Sequence, residues 1–114
     1  MSVSEEWFEQ RVTEALDQVP PALAKAMDNV VVLIADRNPD DPGLLGLYEG
    51  VPLNERAGDY AGSLPDRITV YRDALLARFP DESVLAHEVR VTVLHEIGHH
   101  FGIDENRLHE LGWG

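Results

Sequence analysis

The chain reads as an α+β domain, a small twisted mixed sheet of about three strands packed with helices, on three observations. Phe8, Val12, Ala15, Leu16 and Val19 recur at helical intervals near the start. Val30 to Ala35 is continuously apolar and Arg67 to Arg72 alternates, the two patterns that strands leave in a sequence. A long C-terminal stretch from about Glu82 to Phe101 then carries Val84, Leu85, Val89, Val93, Ile97 and Phe101 at helical spacing, which predicts a core-facing helix. At 114 residues, 44% of them apolar, there is room for one core and one domain over residues 1–114, not for two.

Taken in order, Ser2 and Glu5 stand at capping-box spacing ahead of the first amphipathic helix. Pro20 and Pro21 break that helix, and Ala22 to Met27 restarts as a second, short one. Val30 to Ala35, mostly β-branched and bounded by Asn29 and Asp36, is expected to be a buried strand. Asp36 to Gly43 is an acidic loop. Its Asp36, Asn38 and Asp40 imitate the first three ligands of an EF-hand, but Asp41 stands where glycine is required and Leu47 where the bidentate glutamate belongs, so a solvated turn is expected. Leu44 to Glu49 reads as a second strand interrupted by Gly46. Val51 to Pro65, with Pro52, Gly58, Gly62 and Pro65, reads as a long surface loop bordering a cleft. In the third strand, Arg67 to Arg72, Ile68 and Val70 face one way and Thr69 and Tyr71 the other. Ala74 to Phe79 is a short helix ended by Pro80, Asp81 caps the long helix, and Glu105 to Leu111 forms the last one.

The surface is acidic: nine basic residues stand against 21 acidic ones, a formal charge of −12. Such a surface repels phosphate backbones and anionic lipids, which disfavours nucleic-acid and membrane partners. The absence of cysteine removes disulfides, thiolate ligands and a thiol nucleophile together. The acidic start lacks the apolar core of a signal peptide and no run approaches membrane-spanning length, so a cytoplasmic setting is expected.

Within the long helix lies His95-Glu96-Ile97-Gly98-His99, followed by Gly102 and Glu105. Residues four apart on a helix differ by only about 40° around the axis, so His95 and His99 present their imidazoles one turn apart on one face and can chelate a single Zn2+. Glu96 lies about 100° round from His95, where a carboxylate reaches water activated by the ion, the general-base position. His87-Glu88-Val89-Arg90-Val91 begins in the same way but has Val91 in place of the second ligand, so His87 and Glu88 are read as exposed polar residues. Gly102 supplies the left-handed residue that ends a helix and reverses the chain. Asp104, Glu105 and His109 then come within reach as a third ligand.

This arrangement resembles the zincin metallopeptidases, in particular small bacterial zincin-like domains with His-Glu-x-x-His-x-x-Gly-x-x-Asp near the C-terminus. The resemblance is close over residues 95–113. It implies that His95, His99 and position 105 hold zinc and that Glu96 is the base. Glu105 replaces the pattern's aspartate, which keeps Asp104 second and His109 third as alternatives. A methionine turn cannot follow the motif, because Met1 and Met27 both precede it. Trp113 is the candidate for a hydrophobic floor, and ordinary packing on the core is the rival reading.

The resemblance further implies a zinc-dependent metallopeptidase, with a peptide or protein substrate received along an edge strand, either Leu44 to Glu49 or Arg67 to Tyr71. Tyr48, Tyr60, Tyr71, His100 and His109 are candidates to steady the oxyanion, with His100, about 100° round from the His95/His99 pair, read rather as a residue that supports the ligands from behind or as a surface residue. The rival class is a metal-binding scaffold domain with little turnover. A homodimer would supply the far cleft wall that so short a chain lacks. An esterase or amidase using the same activated water is a weaker third.

Overall fold

The computed structural model describes residues 3–56 and 64–114. Helix α1 (Glu5–Asp17) and the short α2 (Pro21–Ala26) lead into strand β1 (Val30–Ala35). Strand β2 (Gly46–Glu49), a single 3-10 turn (Leu53–Glu55) and β3 (Asp66–Tyr71) follow, then α3 (Arg72–Arg78), the long α4 (Glu82–His100) and α5 (Glu105–Leu111). The fold is therefore α+β, with the elements in the order the sequence predicts. Among the described residues no helix is long and apolar enough to cross a membrane.

Local chemistry sets the ends of these elements. Ser4, one turn before the residue its side chain accepts from, caps α1 through the Trp7 N–H; Ser2, expected in a capping box with Glu5, lies outside the described residues. Asp81 caps α4 as predicted, its carboxylate accepting from the Ser83 and Val84 N–H groups at 2.9 and 3.2 Å. The EF-hand imitation resolves into a turn: the Asn38 side-chain oxygen accepts from the N–H groups of Asp40 and Asp41, and Asp36 is paired with Arg72.

The sheet runs β1-β3-β2, with β1 parallel and β2 antiparallel to β3. Val32, Ile68 and Tyr48 are cross-strand partners on the side that meets the core, and Leu33, Thr69 and Leu47 are partners on the other side. The third strand starts at Asp66, one residue early, because the N–H of Asp66 already bonds the Asn29 carbonyl.

β1 corrects an expectation. Its apolar run predicted burial on both faces, but it is an edge strand with Val31 and Leu33 largely exposed. Helix α4 packs on β2 and β3, and α1 packs on α4, so cover thins out toward β1. Tyr71 is buried, its hydroxyl accepting from Asn38 at 2.9 Å.

The core is formed by Phe8, Val12 and Ala15 of α1, Ile68 and Val70 of β3, Leu75 of α3, and Leu85, Val89, Val93, Leu94 and Ile97 of α4. Val84 was expected in this set, yet it is 44% exposed. It lies about 100° round the helix from the fully buried Leu85, off the stripe through Leu85, Val89, Val93 and Ile97 that meets the core. Leu85→Ala should therefore cost about 2–5 kcal/mol, whereas Val84→Ala should stay within about 0.5 kcal/mol. Urea unfolding of the two variants checks the rotation of α4, and equal losses would contradict it.

Candidate metal centre

Helix α4 carries its buried stripe through Val89, Val93 and Ile97, which leaves His95 and His99 at the edge of that stripe, 24% and 34% exposed. Their Nε2 atoms face each other at 3.1 Å. Gly102, with φ of 77°, ends the helix as expected, and the chain turns so that α5 begins at Glu105. Glu105 Oε1 then stands 3.3 Å from His95 Nε2 and 3.2 Å from His99 Nε2. Of the three third-ligand candidates, the structure brings only Glu105 to the histidine pair. Asp104 is occupied as the cap of α5, accepting from the Arg107 N–H at 2.9 Å, and His109 lies exposed outside the group.

Two features of sequence that carried no ligand signal build this arrangement. Gly98, inside the motif, has no side chain where the Leu108 side chain sits; a Cβ there would come within 2.2 Å of Leu108 Cδ2. The fully buried Leu108 thus seats α5 against α4 and fixes the position of Glu105. Beyond α5 the chain returns: Trp113 N–H bonds the Leu108 carbonyl, and the Trp113 carbonyl lies 3.1 Å from His95 Nδ1. A carbonyl only accepts, so neutral His95 carries its proton on Nδ1 and keeps the Nε2 lone pair for the site. The Trp113 indole itself packs on the core.

The donor set fits zinc. Two imidazole nitrogens and one carboxylate oxygen form a known three-ligand catalytic set. Zinc bonds of about 2.0–2.1 Å in a tetrahedron require donor atoms about 3.3–3.4 Å apart, against the 3.1–3.3 Å observed. Burial, reinforced by the neighbouring His95 and opposed by Glu105, holds the His99 pKa below its ordinary value. His99 is therefore neutral at pH 7, the form that ligates.

Glu96 is 8% exposed. Burial pushes its carboxyl up to about 7, with His95 pulling it down and Glu105 pushing it further up. It lies against β2 at Gly46, where a Cβ would come within 2.7 Å of Thr92 and 3.3 Å of the Glu96 carboxylate. The residue that interrupts the strand pattern is thus what lets the sheet edge approach the helix. Leu44, Gly46, Leu47 and Tyr48 form one wall of a cleft over His95, Glu96 and His99. The cleft continues as an open groove of about 500 Å³ along α4 past Thr92 and Val91 to Glu88 and Arg78.

Among the expected oxyanion donors, Tyr48, Tyr71 and His100 are otherwise engaged. Tyr48 lines the cleft, but its hydroxyl donates to Asp66. Tyr71 is paired with Asn38, His109 stands outside the cleft lining, and Tyr60 lies outside the described residues. Of the two readings of His100, the surface one is corrected: the residue is fully buried behind His99, with Nδ1 3.0 Å from Asp66 Oδ2. His87 is exposed as expected, and Glu88 is half-buried at the groove.

A family model described as zincin-like metallopeptidase matches residues 27–113. No curated protein matches the chain.

In the metal-free protein, the folded state holds a proton on Glu96 that the unfolded state has already lost between pH 4.5 and about 7. Stability therefore falls as pH rises through that window. Metal-free Glu96→Gln should be more stable than wild type above pH 7, by roughly 1–3 kcal/mol at about 1.36 kcal/mol per pH unit of displacement, and equal to it near pH 4. Urea titrations of both proteins at a series of pH values check this; a difference that does not vary with pH would contradict it.

Proposed function

Because the chain belongs to the zincin-like metallopeptidase family, we propose that it is a zinc-dependent peptidase in which His95, His99 and Glu105 hold one Zn2+ and Glu96 is the general base. The observation that carries this reading is the convergence of three donor atoms at 3.1–3.3 Å beside a buried carboxylate in an open cleft. When bound, zinc supplies Lewis acidity, lowering the pKa of water toward about 7 and polarising a carbonyl. Glu96, buried in the cleft beside the donor atoms, takes the proton of the attacking water and passes it to the leaving amine. The Trp113 carbonyl keeps the His95 ring oriented while this happens.

An extended peptide or protein segment is the substrate class this cleft suits. β3 lies between β1 and β2 and is paired on both sides, which removes it as a receiving strand. β2 is the sheet edge beside the site, and main-chain pairing along Gly46 to Glu49 would draw a peptide across His95, Glu96 and His99. The charge of −12 favours such partners over nucleic acid or anionic membranes. The second reading, a metal-binding scaffold domain with little turnover, draws support from Glu105, whose side chain is 58% exposed on a short helix.

Zinc-loaded wild type is expected to cleave members of a diverse peptide library, and Glu96→Gln to retain zinc while losing activity by about 10²-fold or more. The two are compared by mass spectrometry of the digests and by metal analysis. Zinc retained in both proteins with no cleavage by either would favour the scaffold reading.

A further inference from the structure

Behind the cleft lies a buried polar cluster that the proposed reaction does not use directly. Asp66, 1% exposed at the start of β3, accepts from the Tyr48 hydroxyl, from Val51 N–H at 3.2 Å and from the Arg56 guanidinium at 2.9 Å. It also accepts from His100 Nδ1 at 3.0 Å. Since a carboxylate held among so many donors is the acceptor, His100 carries its proton on Nδ1, and Nε2 is left to receive the Asp28 N–H at 3.4 Å. Both ring nitrogens of this fully buried histidine are thereby committed.

The elements that meet at Asp66 are the two walls of the metal cleft. Tyr48 belongs to β2 and lines the cleft directly; His100 is the last residue of α4, adjacent to His99. Arg56 ends the segment whose Asn54 reaches the Gly102 carbonyl at 3.4 Å, where the chain turns toward Glu105. Helix ends fray unless they are tied, and a ligand on the final turn inherits that freedom. The last turn of α4 bears His99.

We propose that Asp66 is a positioning residue for the metal centre, which through His100 fixes the final turn of α4 and so the place of His99 Nε2 opposite His95 and Glu105. This rests on the zinc reading above. The charge that makes Asp66 a strong acceptor also serves Arg56, so the network is a single unit with the carboxylate at its centre.

The test compares wild type, Asp66→Asn and His100→Phe with Val12→Ala, a core variant on α1 remote from the network. Each is measured at a temperature where circular dichroism shows it folded. Zinc affinity is read by competition with a chromophoric chelator, and ligand geometry by the visible absorption of the Co2+-loaded protein. Asp66→Asn and His100→Phe are expected to weaken zinc binding about 10-fold or more and to change the cobalt spectrum, whereas Val12→Ala loses stability with both readouts unchanged. If Asp66→Asn does not fold, His100→Phe, which leaves the Asp66 bonds to Arg56 and Tyr48 in place, carries the same expectation. Network variants with zinc affinity within about twofold of a zinc-binding wild type and an unaltered cobalt spectrum would overturn this inference alone. A wild-type chain that takes up no zinc would overturn the metal reading together with it.

Discussion

Helix α4 must serve as the centre of the hydrophobic core and as the platform for the donor atoms, and the rest of the structure follows from that double demand. Its buried stripe through Leu85, Val89, Val93 and Ile97 fixes the helix's rotation against α1 and β3. Once that rotation is set, His95 and His99 can only lie along the stripe's edge, half-exposed, and Glu96 can only lie under the sheet edge, nearly buried. The differing solvation of neighbouring residues is a consequence of packing. It leaves both imidazoles accessible, holds the His99 pKa below its ordinary value and raises that of the Glu96 carboxyl to about 7.

The remaining elements complete what one helix cannot. Two histidines on a single face offer two donors, so the third has to come from a chain that leaves the helix and returns. Gly102 makes the reversal, Gly98 makes room for Leu108, and α5 docks with Glu105 at its first turn. The same return brings the Trp113 carbonyl to His95 Nδ1. On the opposite side, Gly46 lets β2 come close enough to wall the cleft. These are close approaches governed by missing side chains and by backbone groups.

That distinction explains what could be read from the sequence. Helical periodicity located α4, a continuous β-branched apolar run located the strand Val30–Ala35, and the capping chemistry of Asp81 marked where α4 begins. The motif pointed to His95, Glu96 and His99, the chain reversal after Gly102 left Asp104, Glu105 and His109 within reach, and the resemblance to the zincins put Glu105 first among them. Sequence could not distinguish an edge strand from a central one in β1, since its apolar run is equally compatible with both, and the β1-β3-β2 order depends on pairings remote in the chain. Helical spacing turned His100 away from the ligand pair but could not decide between a supporting and a surface place, because its partner Asp66 lies 34 residues away. Trp113 acts on the site through a carbonyl, which every residue possesses, and Val84 is apolar but stands one residue off the buried stripe that begins at Leu85.

The claim on which this account turns is that three side chains on two helices form one zinc site. Metal analysis of protein purified without chelators, for wild type beside His99→Ala and Glu105→Ala, tests it most directly. The account predicts about one zinc per wild-type chain and loss of the metal from both variants. A wild type that stays metal-free at micromolar zinc, or a Glu105→Ala protein that holds zinc as tightly as wild type, would contradict it.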